Sequence, residues 1–488
     1  MRKVFLLAAA LWLVLNLITL TGYPAVWVDE IQFADPGIHL ALGKGFVSAA
    51  WFNQPSTEFW ASYTPLYSFL LAGWLKVFGI SSFAVRSFSL ALVTASLLMV
   101  WLALKRFADE SQRWRIILAL AVCQPIAFLE RAGRPDSLSL LLLTATALVF
   151  LETSWRWRSV ALFLLGVLAV PSAIQYAAYV LVLAVLLQIF FKPFARRDLG
   201  LWTTGAASGA AILALIYASH QLLMLFIEVT LVSKQSTIGR LLQHVVLRHG
   251  EAPFVFSDIL TAPFRDYATP ILIASGIAIW WFAKRQQQVL ASKLAAFGVA
   301  CAILIPLAIQ LLGKYPLYYA YMGALPATIA IVLACGHLKT KTRLAQTAIL
   351  AFLLFGGAGR FWWKAWQQGA QTIPDPSSVV SPEDTVVADY PAYYQLIGHT
   401  RELFAIAYAS GKLLPHFPPE QGSQVTKLLV RDSMFQEVAK RVGGQWQRSG
   451  DLSNSVVIDD DTYNPETEAI GIYVRVGGNK NFSAPAAR

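Results

Sequence analysis

Charge is scarce in this chain: Asp, Glu, Lys and Arg make up only 14% of its 488 residues, while 56% are hydrophobic. That scarcity excludes an ordinary soluble protein, because a core of this length could not hide so much apolar surface. Cysteine is scarcer still. The three cysteines, Cys123, Cys301 and Cys335, all fall inside apolar blocks, which excludes a disulfide framework and a cysteine metal cluster and leaves them as small core residues. No small-x-small cleavage site follows the first apolar block, Val4 to Leu20. Despite the basic start at Arg2 and Lys3, the block runs into Thr21-Gly22-Tyr23-Pro24, so it reads as a retained helix and not a removed signal. No repeat at solenoid spacing is present.

What is present is apolar sequence in blocks, with a mean hydropathy of +0.54. A bilayer core of ~30 Å needs ~20 apolar residues per helical span, and several blocks meet that length. The chain reads as a polytopic integral membrane protein. Its net charge of +11 does not point to nucleic acid, because the basic residues sit in short segments between apolar blocks, as cytoplasmic loops do.

Those clusters set a topology. They are Lys105-Arg106 with Arg113 and Arg115; Arg156 with Arg158; Lys192 with Arg196-Arg197; Lys284-Arg285 with Lys293; and Lys339 with Lys341 and Arg343. With all of them and the N-terminus on the cytoplasmic side, an even number of spans separates successive clusters. Three apolar stretches, 4–21, 64–79 and 83–104, precede the first cluster, one too many. The middle one is short, rich in Tyr, Ser and Phe, and opens with Thr64-Pro65. It is therefore expected to lie along the outer interface. The remaining spans are expected at 83–104, 116–130, 135–152, 159–172, 175–191, 201–218, 268–283, 293–312, 316–336 and 344–358, about eleven with the first helix. Outside fall the loop 22–82, the loop 219–267 with His220, His244, His249 and Glu251, and the region 359–488. In this last region charge and proline rise and short β-like runs appear at 385–388, 425–430, 455–458 and 471–476, with a helical stretch at 433–442. It is expected to be a small α/β domain. The domain reading is thus 1–358 for the membrane part and 359–488 for the outer domain.

On this map the costly polar residues gather on one face. Asp29, Glu30 and Asp35 follow the first span, Arg131, Arg134 and Asp136 stand between two spans, and Lys314 and Tyr315 end another. Each has a plain explanation: helix-start acid for Asp29-Glu30, Pro at a helix start followed by Asp for Arg134-Pro135-Asp136, a snorkelling side chain for Lys314. Their convergence makes them candidate site residues. A carboxylate can take a proton from an attacking hydroxyl or amine, and Lys or Arg can stabilise a leaving phosphate. An enzyme acting on a lipid-linked phosphate needs both at the membrane surface.

Four ordered motifs resemble one family. Val28-Asp29-Glu30-Ile31-Gln32-Phe33-Ala34-Asp35 is similar to D-E-x-x-[YF]-A-[DE]. Tyr63-Thr64-Pro65-Leu66-Tyr67, then Phe78-Gly79 and Phe83-Ala84-Val85-Arg86, is similar to P-P-L…F-G…F-x-V-R. Arg131-Ala132-Gly133-Arg134-Pro135-Asp136 is similar to A-R-P-D. Gly313-Lys314-Tyr315-Pro316-Leu317-Tyr318-Tyr319 is similar to G-K-x-P-x-Y. The sequence resembles the GT-C fold glycosyltransferases that use lipid phosphosugars, in particular the protein O-mannosyltransferase and lipid A aminoarabinose transferase group. The resemblance covers residues 1 to about 340 and agrees with a juxtamembrane second apolar stretch.

The resemblance implies a GT-C membrane domain with periplasmic juxtamembrane helices and a C-terminal periplasmic domain, in a bacterial inner membrane. It implies an inverting transfer from a polyprenyl-phosphate sugar to a lipid, glycan or protein acceptor, with membrane lipid as surroundings and no nucleic acid partner. Asp29 would be the base, Glu30 its support and Asp136 a second acid of the cavity. Lys314 and Tyr318 would contact the donor phosphate, assisted by Arg134 or Arg131. Asp35, Tyr63 and His249 are candidate acceptor or sugar contacts. The sequence departs from the family in three places: Ser62-Tyr63-Thr64 stands for a Glu-Lys pair, Gln32 for an Arg, and Pro171-Ser172 for a Lys-Gly. The missing Glu belongs to a metal site in the aminoarabinose subgroup, so no cofactor is assigned and a divalent metal is not expected, although His244 or His249 could serve a different one. Two rivals stand beside the transferase: a transporter or flippase with the same outer charges as a gate, and an inactive scaffold for glycan assembly.

Overall fold

Cys123 shows how local chemistry shapes the helices of this protein. Its extended backbone, with Pro125 two residues on, splits the stretch 116–130 into two helices, α5 (Glu110–Val122) and α6 (Gln124–Leu129), because a proline cannot continue the preceding hydrogen-bond ladder. The computed structural model describes residues 2–51, 54–151, 154–191, 196–230, 264, 266–312, 317–338, 342–368, 378–406, 419–458 and 466–476. Two compact units emerge.

The first unit comprises residues 1–23, 63–67 and 86–367 and is helical. It contains α1 (Arg2–Thr19), most of α4 (Ser82–Ala103), α5, α6, α7 (Asp136–Leu151), α8 (Arg158–Ser172), α9 (Ile174–Phe190) and α10 (Arg196–Ser219). There follow α11 (Leu223–Thr230), α12 (Ala268–Arg285), α13 (Val289–Leu312), α14 (Tyr321–Gly336), α15 (Thr342–Gly356) and α16 (Ala358–Gln368). Among the described residues, each stretch read as a span carries helix, with a break at Cys123 in 116–130. Among the described residues four helical segments, Ser82–Arg106, Arg197–Ser219, Val289–Gln310 and Thr342–Gln368, are long and apolar enough to cross a membrane. The α8–α10 pair packs backbone to backbone. A Cβ added at Gly205 would stand 2.1 Å from the Phe163 carbonyl, and one at Gly166 2.2 Å from the Trp202 carbonyl. Small residues allow this approach, which is how helices associate where no water drives them together.

The second unit comprises residues 24–62, 68–85 and 368–488. The division differs from the expected boundary at 358: the loops after the first span group with the C-terminal region. The reason is direct bonding, since the Ala405 N–H donates to the Ala49 carbonyl at 3.0 Å. The unit holds α2 (Val28–Ala41), α3 (Leu66–Phe78) from Ser68 onward, and a five-stranded sheet in the order β2-β1-β3-β5-β4. Strands β1 (Thr385–Ala388), β2 (Glu402–Ala405) and β3 (Lys427–Arg431) are parallel, while β5 (Glu466–Val476) runs antiparallel to β3 and to β4 (Gln445–Ile458). Helices α17 (Tyr390–Leu396), α18 (Pro419–Gln424) and α19 (Asp432–Val442) accompany it. β1 is buried at every position, as a central parallel strand must be.

Candidate functional site

The segment 130–136 divides into two roles. Glu130 and Arg131 are fully buried. The Arg131 guanidinium donates to the Thr19 and Tyr23 carbonyls (2.9 and 3.2 Å), to Asn16 Oδ1 (2.7 Å) and to Thr19 Oγ1 (2.7 Å). It holds the C-terminal end of α1, whose last carbonyls lack helical partners, and its charge faces Glu130. Arg131 is therefore corrected from a donor-phosphate residue to a clamp: both terminal nitrogens of its guanidinium are engaged inside the bundle.

Three residues on, Arg134 has different company. Gly133 takes a left-handed backbone (φ +61°), which glycine adopts without strain, and the turn sets Arg134 against the start of α7. Its Nε donates to Asp136 Oδ2 at 2.8 Å. Both side chains are almost wholly enclosed. The guanidinium lies 3.8 Å above the Tyr318 ring, a cation–π contact strengthened by desolvation, and it also reaches Tyr319.

From Tyr319 a polar relay continues. Gln175 Nε2 donates to the Tyr319 hydroxyl at 3.2 Å, the Tyr63 hydroxyl donates to Gln175 Oε1 at 2.7 Å, and Tyr217 donates to the Tyr63 carbonyl at 2.6 Å. Thr64 Oγ1 donates to the Ser172 carbonyl at 3.0 Å. Two of the places where the sequence departs from the family pattern, 62–64 and 171–172, are thus bonded to each other. Tyr63, Gln175, Tyr318 and Tyr319 are half-buried, so the cluster combines an enclosed ion pair with hydroxyl- and amide-bearing residues that keep some exposure. The structure brings Arg134, Asp136, Tyr318 and Tyr63 together. Gln175 and Tyr319 join them without having been singled out from sequence; Tyr319 was part of a quoted motif, and Gln175 follows the departure at Pro171-Ser172.

In the second unit, α2 carries the other acids. Pro36 inside α2 has no N–H for the Gln32 carbonyl four residues back, and the Trp51 indole N–H supplies that bond at 2.6 Å. Gly37 lets α3 approach: a Cβ there would stand 2.7 Å from the Ser68 carbonyl. Asp29 lies half-buried and Glu30 wholly buried in the first turn, and the Tyr394 hydroxyl of α17 donates to Glu30 Oε1 at 3.3 Å.

Asp35 is wholly buried and accepts from Ser48 Oγ at 2.6 Å, from the Ala49 N–H at 2.7 Å, and from the Tyr393 hydroxyl. His39 Nδ1 stands 3.0 Å away. Burial alone would raise the Asp35 pKa and lower that of His39; their mutual attraction and bonds reverse both, leaving Asp35 below and His39 above its ordinary value. Asp35 is corrected from a substrate contact to the anchor of the 48–49 segment. Lys314 and His249 lie outside the described residues. Among the described residues no three His, Cys, Asp or Glu side chains form a metal-binding group.

No protein-family model matches the sequence, and no curated protein does. Solved structures do match. ArnT from Cupriavidus metallidurans in the apo state aligns with a TM-score of 0.59 at 11% identity, over 96% of this chain and 98% of that one. The same protein bound to undecaprenyl phosphate aligns with a TM-score of 0.56 at 12% identity, over 96% and 97%. At this identity the likeness is one of fold, and the chain has the GT-C membrane fold.

Proposed function

We propose that this GT-C fold protein is an inverting glycosyltransferase that moves a sugar from a polyprenyl-phosphate donor to an acceptor outside the cytoplasm. The observation that carries the reading is the Arg134–Asp136 pair, stacked on Tyr318 and linked through Tyr319 and Gln175 to Tyr63. A planar guanidinium in an enclosed, aromatic-walled position suits a phosphate, which it can bind through two parallel N–H donors. The fold is shared with a protein solved with undecaprenyl phosphate. Tyr63, Gln175 and Tyr319 offer the hydroxyl and amide groups that a sugar's hydroxyls recognise.

In a single displacement the acceptor hydroxyl or amine attacks the anomeric carbon. A new carbon–acceptor bond forms, the bond to the phosphate oxygen breaks, and polyprenyl phosphate departs with the electron pair. Asp29 takes the acceptor proton, with Glu30 held beside it by Tyr394. Arg134 offsets the charge that develops on the phosphate, and Lys314 is assigned there on sequence grounds. The basic clusters put the N-terminus in the cytoplasm of a bacterial inner membrane and the C-terminal region outside. Among the described apolar helices of ten residues or more, α3 is the shortest at 13 residues; it reaches about 20 Å, which favours a place along the interface.

The test compares envelope glycolipids and glycoproteins by mass spectrometry in cells lacking the protein, restored with it, and restored with Asp29→Asn. One sugar modification should vanish on deletion, return with the natural chain and stay absent with the variant. Full restoration by a normally inserted Asp29→Asn chain refutes the mechanism. Lipid movement in liposomes without any sugar transfer assigns the protein to transport instead.

A further inference from the structure

At the far end of α7 from Asp136 lies a cavity of about 580 Å³, within the range that holds small molecules. α7 lines it with Leu143 and Phe150, α9 with Leu183 and Leu187, α13 with Leu294 and α14 with Leu333. It opens to one side, where Leu290 and Phe107 are 49% and 53% exposed. Two basic residues, Arg106 and His337, complete the lining. Arg106 is fixed there by donating to the Leu151 carbonyl at 2.7 Å, and Lys105 is its neighbour. Among the described residues the lining holds no Asp or Glu; of the carboxylates close to it in sequence, Asp198 is paired with Arg158 at 2.7 Å and Asp109 accepts from the Gln112 N–H at 2.7 Å as the cap of α5.

We propose that this cavity is a binding site for an anionic phospholipid, with an acyl chain among the leucines and the phosphate against Arg106. An apolar space of this kind stays dry, so its occupant is apolar where it touches α7 and α9. A basic rim at the end of the spans is complementary to an anionic head group. The donor lipid fits less well. With its phosphate at Arg134, some 10–20 Å along α7 by helix rise, only its tail could arrive, and the rim cations would meet no charge. The site is thus separate from the proposed transfer chemistry.

The experiment places the full chain in nanodiscs of equal phosphatidylglycerol and phosphatidylcholine, followed by native mass spectrometry after detergent washing. One phosphatidylglycerol should be retained per chain, preferred over phosphatidylcholine about fivefold through Arg106. Arg106→Gln should cut the preference about fivefold. Leu290→Trp at the exposed edge and Ala184→Trp inside should remove the retained lipid while general lipid association persists. Equal retention by the natural chain and a folded Leu290→Trp chain overturns the proposal. So does a retained polyprenyl lipid that Leu290→Trp displaces, which would make the cavity a donor-tail site. Should Ala184→Trp fail to fold, the Leu290 variant decides.

Discussion

The first turns of α2 and the turn before α7 each carry charges a few residues apart, and in each the charges meet different company. In the turn before α7, Arg131 ties down α1 with four hydrogen bonds, while Arg134 faces Asp136 and an aromatic ring. In α2 the order is reversed. The leading Asp29 is half-buried, and Asp35 is enclosed by Ser48, Ala49, Tyr393 and His39. The difference teaches what separates a scaffold charge from a site charge. A scaffold charge such as Arg131 turns its terminal nitrogens to backbone and short polar groups, which lowers the cost of complete burial. The candidate site charge Arg134 pairs with another charged side chain beside half-buried aromatic residues.

The largest effect that would break this comparison lies at Arg131. Arg131→Leu should strand the buried Glu130 and the end of α1, lowering stability by about 3–5 kcal/mol, seen as a collapse of the thermal unfolding midpoint in detergent. Arg134→Lys should leave that midpoint nearly unchanged while reducing transfer at least about tenfold, since an ammonium cannot replace a bidentate, stacked guanidinium. The reverse pattern would exchange the two roles.

Next come the acids of α2. Asp35→Asn should cost about 1.5–3 kcal/mol through its charged hydrogen bonds and speed amide exchange in residues 46–50. Asp29→Asn should stay within about 0.5 kcal/mol of the natural chain. A smaller effect tests the helix itself. Trp51→Phe leaves the Gln32 carbonyl without its donor, at about 1–3 kcal/mol. Pro36→Ala restores an N–H four residues on, so the double variant should recover most of that loss, a coupling that a double-mutant cycle measures.

The smallest effect is in pH. The raised His39 contributes stability fully below its ordinary value of 6.5, lost as pH climbs through the higher folded value. The lowered Asp35 contributes above its ordinary value of 3.8, lost as pH falls through the lower folded value. The ion pair is therefore strongest between these two ordinary values, and amide protection around Ser48 should be higher at pH 5.5 than at pH 8.5. His39→Gln should flatten the difference.

Much of the fold was legible in the sequence. Apolar blocks became helices where expected, and the runs at 385–388 and 471–476 became β1 and part of β5, because burial and periodicity are local properties of the chain. β2 escaped notice because Glu402–Ala405 holds no β-branched residue, unlike β1 of the same length, and among the described residues it pairs only with β1. Of the residues that the structure brings together, the motifs contained Arg134, Asp136, Tyr63 and Tyr318. Nothing local distinguished Arg131 from Arg134, or Asp35 from Asp29.

By itself, then, the sequence determined that the chain is a helical membrane protein with a small α/β region and acids and cations held in ordered motifs. Hydropathy and charge act at the scale of single segments, so they can be read without a fold. Only the tertiary structure decided that Arg131 clamps α1 while Arg134 pairs with Asp136, and that Gln175 joins Tyr63 to Tyr319. Those roles depend on partners more than a hundred residues away, as Arg131 on Thr19 and Tyr63 on Gln175, and a hydrogen bond exists only once folding has brought both ends together.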